Sequence, residues 1–341
     1  MSAQGCARSN EQKSSSLSEE LSRERRRRFA IVRRMKILVV GAGAIGGYFG
    51  ARLLQAGRDV TFLVRPRRAA ELARTGLVVK SKLGDITLPA PSTVAAENLK
   101  GPYDLILLSC KAFDLDGAMD SFAPAVGPGT AILPLLNGIG HLDTLGRRFG
   151  KDTVLGGQVA ISLTLDPEGR ILHLNDGLSL SFGELAGPRT SRIEAIAAEF
   201  AAADIQAGRS ETILQDMWEK WVFIASAAGI TCLMRGSVGD IVAGGGAPLA
   251  AALLDEISAI ATLNGFLPRP ASAQRARAML TAVGSPFTAS MLRDVEGNRA
   301  VEADHVLGDL LKRGKDGRYP VLTAAYAHLK AYEARRARMA G

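Results

Sequence analysis

A glycine-rich turn near the start of the chain constrains the fold more than any other feature of the sequence. Residues 36–40 form an apolar run, and Gly41-Ala42-Gly43-Ala44-Ile45-Gly46 follows at once. Residues 47–56 then have helical character, and residues 59–64 are again apolar. The order strand, glycine turn, helix, strand at this spacing predicts a βαβ unit.

The glycines of this turn indicate a dinucleotide-binding site. Gly41 would permit the tight bend, Gly43 would let the backbone approach a pyrophosphate, and Gly46 would let the helix pack closely on the strand. The start of the helix offers N–H groups and the positive end of the helix dipole to the phosphates. The expected cofactor contacts are therefore Gly41, Gly43, Ala44, Ile45 and Gly46. An ordinary glycine-rich βα turn is the alternative.

The residues after the second strand indicate which cofactor is bound. Sites that prefer NAD place Asp or Glu there, to accept hydrogen bonds from the ribose 2′-hydroxyl. This strand instead runs into Val64-Arg65-Pro66-Arg67-Arg68, without an acid. A guanidinium group pairs well with a 2′-phosphate, which a carboxylate would repel. We therefore expect NADP(H), with Arg65 as the leading contact; a solvent-exposed loop arginine is the alternative.

Two more strands of the predicted sheet end beside polar side chains. Residues 103–110 and 130–135 are apolar runs, each followed by a helical segment, and they lead into Lys111 and Asn137. Ligands of open α/β sheets bind at the carboxyl ends of the strands. Lys111 and Asn137 are therefore candidates for contacts near the cofactor, although each is also compatible with a plain loop residue.

The remaining pattern predicts an α/β Rossmann-type N-terminal domain followed by an all-α C-terminal domain. Residues 153–183 hold short apolar runs between turn signals, which indicate antiparallel strands that extend the sheet. From residue 211 onward strand-like runs disappear. Helices are expected at residues 212–234, 248–263, 270–283, 290–313 and 320–337. The predicted domains are residues 35–208, which bind NADP, and residues 209–341, which hold the substrate.

The net charge of +8 is concentrated in a leader. Residues 1–34 carry nine Lys and Arg against four Glu, a net charge of +5, and hold few large apolar residues. Such a segment buries too little surface to fold, so we expect a disordered leader. Because the basic cluster lies there, no nucleic-acid partner is expected.

Composition also bears on membranes, metals and compartment. The uncharged apolar stretch at residues 221–234 is 14 residues long, whereas a membrane-spanning helix needs about 20. The four histidines show no metal-ligand spacing, so neither a membrane partner nor a metal is expected. Three cysteines, odd in number and far apart, indicate a reducing, cytoplasmic setting.

Three residues of the second half are candidates whose roles the residues alone leave open. Lys220 stands at the start of a long apolar helix, where it is either a partly buried ammonium group or a surface lysine with an apolar stem. Glu302 lies in the middle of the predicted helix 290–313, as a solvated acid would. Ser290 opens that helix, where serine is most often an N-cap.

From Met35 to about Tyr332 the chain resembles the ketopantoate reductases, also called 2-dehydropantoate 2-reductases. The matching segments, in order, are residues 36–46, Cys110-Lys111-Ala112, Leu136-Asn137-Gly138-Ile139-Gly140, residues 214–221, Ser290-Met291-Leu292-Arg293-Asp294 and Glu302-Ala303-Asp304.

The resemblance implies roles for the candidate residues. Lys220 is similar to the family's catalytic lysine and Glu302 to the acid that works with it. Ser290 and Asn137 correspond to substrate contacts, while Lys111 and Asn137 lie beside the nicotinamide. The implied activity is NADPH-dependent reduction of a 2-oxo acid to a 2-hydroxy acid, as in the conversion of ketopantoate to pantoate. A homodimer is compatible with the resemblance.

Three departures from the family pattern bear on the substrate. Asparagines usual in the family are replaced here by Ile224, Ala228 and Phe287. A site that lacks hydrogen-bond partners for a substrate hydroxyl selects for it less strongly. The alternative function is therefore an NADP-dependent dehydrogenase of the same fold that acts on a more apolar 2-oxo acid. A non-catalytic NADP-binding protein is a further alternative.

Overall fold

The computed structural model describes residues 34–315 and 317–340 of the chain. The predicted disordered leader, residues 1–34, lies outside the described residues except for its last position. The strands are β1 (Lys36–Val40), β2 (Asp59–Leu63), β3 (Leu77–Lys80), β4 (Ile86–Leu88), β5 (Thr93–Val94), β6 (Leu105–Leu108), β7 (Ala131–Pro134), β8 (Leu155–Ala160), β9 (Leu163–Leu165), β10 (Ile171–His173), β11 (Ser179–Glu184) and β12 (Ala207–Arg209).

Helices alternate with the first strands and make up the second half of the chain. They are α1 (Ala44–Gln55), α2 (Pro66–Thr75), α3 (Leu115–Phe122), α4 (Gly140–Phe149), α5 (Ser191–Ala202), α6 (Ile213–Met234), α7 (Val238–Ala243), α8 (Ala247–Leu263), α9 (Pro270–Leu280), α10 (Ser290–Glu296), α11 (Asp309–Arg313) and α12 (Pro320–Ala340), with a π-helical turn at Asp304–Gly308. The predicted fold class is confirmed: a parallel-sheet α/β part precedes a helical part.

The central sheet is parallel, with the strand order β5-β2-β1-β6-β7. Its middle strand β1 is apolar because both faces are covered, and Val40 at its end is 5% exposed. The register places Val40 level with Leu63 and Leu108. Since parallel strands end at one edge, the glycine turn, Arg65 and Lys111 all follow at the same edge of the sheet.

The segment after the central sheet differs from the sequence prediction. The expected antiparallel pairing holds for β8, which pairs with β11, but β8 does not extend the central sheet: it lies in a separate sheet of order β12-β11-β8, and one isolated parallel bridge joins Ile132 to Val154 just before it. Strands β9 and β10 also lie outside the central sheet: β10 pairs with β9 and with β3 in a sheet of order β4-β3-β10-β9. Burial explains this placement: Ile171 of β10 is fully buried where α1 presents Gly47, whose absent Cβ would lie 2.5 Å from Ile171 Cδ1.

Helix α6 is the core of the helical part. It is apolar on nearly all sides, as a helix enclosed by others must be, and it contacts α8 and α12. The approach to α8 is close, since a Cβ added at Gly229 would lie 2.9 Å from Leu253 Cδ2. The predicted helix 212–234 is thus confirmed to within one residue, and it carries Lys220 into the interior.

The predicted continuous helix 290–313 is wrong. Helix α10 ends at Glu296, Asn298 adopts a left-handed conformation with φ of 51°, and helical structure resumes only with the π-helical turn. The buried residues Leu292, Val295, Val306 and Leu310 lie on both sides of the break at spacings that would share one helix face, which imitates one helix in the sequence. The break places Glu302 on an irregular segment instead of in mid-helix.

Among the described residues, no helix combines the length and the apolar character that crossing a membrane requires.

Candidate active site

The turn after β1 forms a cradle of bare backbone. Gly41 has a φ of +92°, which a side chain would strain, and a Cβ added at Gly46 would lie 2.2 Å from both Gly41 O and Ser109 Oγ. A Cβ added at Gly43 would meet no atom within 4 Å, so this backbone faces open space. Helix α1 begins at Ala44 with Gly43 as N-cap and has no acid in its first turn. This arrangement suits the pyrophosphate of a dinucleotide.

The arginines after β2 have different surroundings. The side chain of Arg65 is 79% exposed, and its Nη2 donates to Asp114 Oδ1 at 2.6 Å. Arg68 is largely buried; its Nε donates to the carbonyl oxygen of Ala42 at 3.0 Å and so braces the glycine turn. Of Arg65 and Arg68, Arg65 is therefore the one that a phosphate can reach, with the carboxylate of Asp114 beside it.

Lys111 connects the edge of the sheet to the helical part. Its Nζ lies 3.3 Å from both Asp294 Oδ2 and Glu302 Oε2. Burial disfavours its charge, but the two carboxylates outweigh that effect and raise the pKa of Lys111 above its ordinary value. Glu302 also accepts a hydrogen bond from the backbone N–H of Ala112 at 2.9 Å. These contacts close the strand-end loop against the helical part.

Lys220 and Asn137 form a hydrogen bond that joins the helical part to the edge of the sheet. Lys220 Nζ donates to Asn137 Oδ1 at 3.2 Å, so the structure favours the partly buried ammonium group over the surface lysine. Burial lowers the pKa of Lys220 to about 8, and the negative charge of Glu302 opposes this shift. Glu302 thus acts on Lys220 through space, whereas its hydrogen bonds go to Lys111 and Ala112.

Two histidines that the sequence did not single out lie behind Asn137. His305 Nε2 donates to the carbonyl oxygen of Asn137 at 2.6 Å, and His141 Nδ1 lies 3.4 Å from the same nitrogen. His141 is fully buried, and burial, with the charges of His305 and Lys220, holds its pKa well below the ordinary value. Sequence periodicity gave no signal for either residue, because their contacts join segments 164 residues apart.

A small cleft with a volume of about 70 Å³ adjoins this region. Its lining includes polar and apolar residues: Asn137, Ile224, Ala227, Ala228, Ala289, Ser290, Met291, Asp294, Glu302 and Val306. Ser290 is the first residue of α10 and makes no side-chain cap; Ala289 occupies the N-cap position, so the N-cap prediction is wrong. The structure therefore brings Asn137, Ser290 and Glu302 to one cleft, with Lys220 bonded to Asn137.

The three residues that depart from the family pattern do not all lie at the cleft. Ile224 and Ala228 line the cleft, as replaced substrate contacts would. Phe287 packs on Phe223 instead, with ring centroids 5.9 Å apart, and is not among the described residues that line it. Two apolar side chains therefore line the cleft where the family pattern has amides.

The acids and thiols of the described residues offer neither a metal site nor a reactive nucleophile. Within residues 34–315 and 317–340, no group of three or more His, Cys, Asp or Glu could hold a metal ion. Cys110 and Cys232 are free thiols, and burial raises the pKa of each to about 12, so neither is a ready nucleophile. Asp114 and Asp294 were not predicted as site residues from the sequence. The signals that could have found them are their positions: Asp114 lies shortly after the end of a strand, and Asp294 lies in the segment that begins with Ser290.

Comparison with known proteins gives consistent matches over most of the chain. Residues 37–187 match the family model described as "Ketopantoate reductase PanE/ApbA", and residues 212–333 match the model of its C-terminal part. An "Uncharacterized oxidoreductase YkpB" of Bacillus subtilis is 38% identical over 303 residues, 88% of this chain and 99% of the relative. The 2-dehydropantoate 2-reductase of Mesorhizobium japonicum is 30% identical, covering 86% and 96%.

Solved structures show the same fold. The 2-dehydropantoate 2-reductase of Geobacter metallireducens matches with a TM-score of 0.78 and 30% identity, over 87% of this chain and 99% of that one. A D-mandelate dehydrogenase in complex with NADH and anilino(oxo)acetate matches with a TM-score of 0.80 over 89% of this chain and 99% of that one. At 20% identity, this second likeness concerns the fold alone.

Proposed function

Because this chain belongs to the ketopantoate reductase family of oxidoreductases, we propose that it reduces the carbonyl group of a 2-oxo acid to a hydroxyl group with NADPH. The observation that carries the proposal is the ammonium group of Lys220, held by Asn137 Oδ1 beside the cleft that Ser290 and Glu302 line. A partly buried ammonium group with a pKa of about 8 is suited to give up a proton near neutral pH.

The chemistry divides between cofactor and protein. NADPH, when bound, supplies a hydride to the carbonyl carbon. Negative charge then develops on the carbonyl oxygen, and Lys220 stabilises that charge and donates a proton from Nζ to the oxygen. Asn137 holds Nζ in place through Oδ1. The product is the 2-hydroxy acid, and the Lys220 amine then takes up a proton from solvent, which restores the ammonium form.

Substrate contacts come from the polar side of the cleft. We assign Asn137 and Ser290 to the substrate and Glu302 to the support of Lys220, whose charge its carboxylate favours. The carboxylate of Glu302 is fixed by Lys111 and the N–H of Ala112, so its position is set before a substrate arrives.

Cofactor contacts follow the edge of the central sheet. The cradle Gly41, Gly43, Ala44, Ile45 and Gly46 fits a pyrophosphate, because its backbone is bare and faces open space at Gly43. We assign Arg65 to the 2′-phosphate of NADPH and Lys111 to the cofactor side of the cleft. The Asp114 carboxylate beside Arg65 weakens the preference for a 2′-phosphate, so NADH is the competing cofactor.

The apolar residues of the cleft favour a second candidate substrate class. Ile224 and Ala228 line the cleft where a ketopantoate hydroxyl would need a hydrogen-bond partner. The supported alternative is therefore a 2-oxo acid with an apolar side chain, reduced by the same machinery. A cytoplasmic location and a homodimer stay predictions.

The test is an NADPH-oxidation assay over a panel of 2-oxo acids that includes ketopantoate. Reduction of ketopantoate with the highest kcat/KM supports the family's activity, and preference for apolar 2-oxo acids supports the alternative. NADPH binding without turnover of any carbonyl compound would overturn both and favour a cofactor-binding protein. Repeating the assay with NADH measures the cofactor preference directly.

A further inference from the structure

His305 forms a short hydrogen bond with the backbone of Asn137, and the proposed chemistry leaves this contact without a role. Its Nε2 lies 2.6 Å from the carbonyl oxygen of Asn137. A carbonyl oxygen only accepts hydrogen bonds, so Nε2 must carry the proton of the imidazole. The hydrogen bond therefore restrains the backbone of the residue whose side chain holds Lys220.

The π-helical turn that contains His305 also forms a hydrogen bond with α6, the helix that contains Lys220. His305 lies on the π-helical turn Asp304–Gly308, and the carbonyl oxygen of the next residue, Val306, accepts a hydrogen bond from Trp221 Nε1 at 2.9 Å. Trp221 directly follows Lys220 in α6 and is fully buried. One irregular turn thus forms hydrogen bonds with the backbone of Asn137 and with the neighbour of Lys220 in α6. Such π-helical turns are frequent at functional sites.

Glycines in the opposing loop make room for this turn. Gly138 has a φ of +73°, and a Cβ there would lie 3.2 Å from His305 Nε2. A Cβ at Gly140 would lie 3.0 Å from Asp309 Oδ2, just after the turn. The loop therefore approaches the π-helical turn more closely than side chains at these two positions would comfortably allow.

We propose that His305 is a positioning residue, which fixes the Asn137 loop through its Nε2–H and thereby sets the Lys220–Asn137 contact. The proposal rests on the proposed reduction of a 2-oxo acid and adds a group that acts without touching the substrate. Among the described residues His305 is not part of the cleft lining, so it acts through Asn137.

Substitution of His305 by Leu and by Gln separates this role from packing. His305→Leu keeps apolar bulk but removes the donor, whereas His305→Gln places an amide N–H near the position of Nε2. We expect His305→Leu to reduce kcat roughly 10- to 100-fold with a smaller change in KM, because misplacement by about 1 Å costs that much. His305→Gln should recover most of the loss.

The charge state of Lys220 gives a readout that does not need turnover. Trace acetylation with acetic anhydride across pH, quantified at Lys220 against the exposed Lys100, reports the pKa of Lys220. Loss of the Asn137 acceptor removes a partner of the ammonium form, so the pKa should fall in His305→Leu and stay in place in His305→Gln. The matched control is His173→Leu, at the end of β10, which removes contacts to Ser81 and Gly177 far from the Asn137 loop in sequence.

The outcomes distinguish the two proposals. If the wild-type protein reduces no 2-oxo acid, the proposed function fails, and the acetylation profiles still test the positioning role. If His305→Leu keeps the wild-type kcat and the wild-type titration of Lys220, the positioning role is overturned. Equal losses in His305→Leu and His305→Gln, matched by equal drops in melting temperature, would also overturn it, because packing alone would then explain them.

Discussion

Lys220 Nζ and Asn137 Oδ1 lie 3.2 Å apart although 83 residues separate them in the sequence. Asn137 follows the last strand of the central parallel sheet, and Lys220 lies in the first helix of the helical part. The contact therefore joins the two halves of the fold at the edge where the glycine cradle also lies. Any molecule reduced at this point must be bound by residues from both halves.

Replacing Lys220 by Ala should abolish most turnover and leave cofactor binding nearly unchanged. The substitution removes the proton donor, and general acid catalysis is typically worth about 10²–10⁴-fold in rate. Steady-state kinetics and NADPH fluorescence titration measure the two effects. The exposed Lys100→Ala variant is the control. Near-normal kcat in Lys220→Ala would remove Lys220 from the mechanism.

The rate of reduction should fall as pH rises through about 8. Burial lowers the pKa of Lys220 to about 8, and the protonated form is the acid that the reduction needs. The ammonium form therefore predominates below pH 8, and kcat should drop about tenfold per pH unit well above it. Oxidation of the hydroxy acid should show the opposite dependence. A pH profile without this descending limb contradicts the assignment.

Arg65 and Asp114 should have opposite effects on cofactor preference. Arg65→Ala removes a charged partner of the 2′-phosphate and should lower kcat/KM for NADPH about 10- to 100-fold, with little change for NADH. Asp114→Asn removes the competing carboxylate and should raise the NADPH preference. Arg67→Ala, in the same loop with a side chain 93% exposed, is the control. An unchanged ratio of NADPH to NADH activity in Arg65→Ala would contradict the NADP(H) assignment.

Replacement by Ala should affect stability at one glycine of the cradle and cofactor affinity at another. A Cβ at Gly46 would lie 2.2 Å from Gly41 O, so Gly46→Ala should lower the melting temperature. A Cβ at Gly43 meets no protein atom within 4 Å, so Gly43→Ala should fold normally and lose affinity for the cofactor. Thermal melts and cofactor titrations separate the two. Unchanged NADPH affinity in Gly43→Ala would argue against a pyrophosphate at this turn.

Restoring an amide in the cleft should change substrate preference. Ile224→Asn adds a hydrogen-bond partner to the lining and should raise kcat/KM for ketopantoate relative to an apolar 2-oxo acid, by about tenfold. Phe287→Asn is the matched control, because Phe287 packs on Phe223 away from the described lining. The same relative preference in wild type and Ile224→Asn would show that this position does not contact the substrate.

Local patterns were sufficient to predict the sheet and the cradle. The order of the apolar run, Gly41, Gly43 and Gly46 predicts strand, turn and helix without knowledge of distant residues, and the central strands follow the same rule. The apolar character of α6 likewise predicts a buried helix. These elements were predictable because their sequence signals lie within the segments that form them.

The break after α10 and the sheet that contains β10 could not be predicted from local patterns. Leu292, Val295, Val306 and Leu310 are buried and spaced as on one helix face, and only the chain path shows that the helix ends before Asn298. Similarly, β10 is a short apolar strand whose partner could have been any sheet edge. Its choice depends on Ile171 meeting Gly47 of α1, a contact that no local pattern encodes.

The sequence by itself determined which chemical groups are present: a bare-backbone cradle, an arginine after the second strand and a lysine at the start of an apolar helix. The tertiary structure decided how these groups act. Burial lowers the pKa of Lys220, Asp114 pairs with Arg65, Glu302 is tied to Lys111, and His305 meets the backbone of Asn137. Hydrogen bonds and charge interactions depend on distances between residues far apart in the chain, and only packing sets those distances.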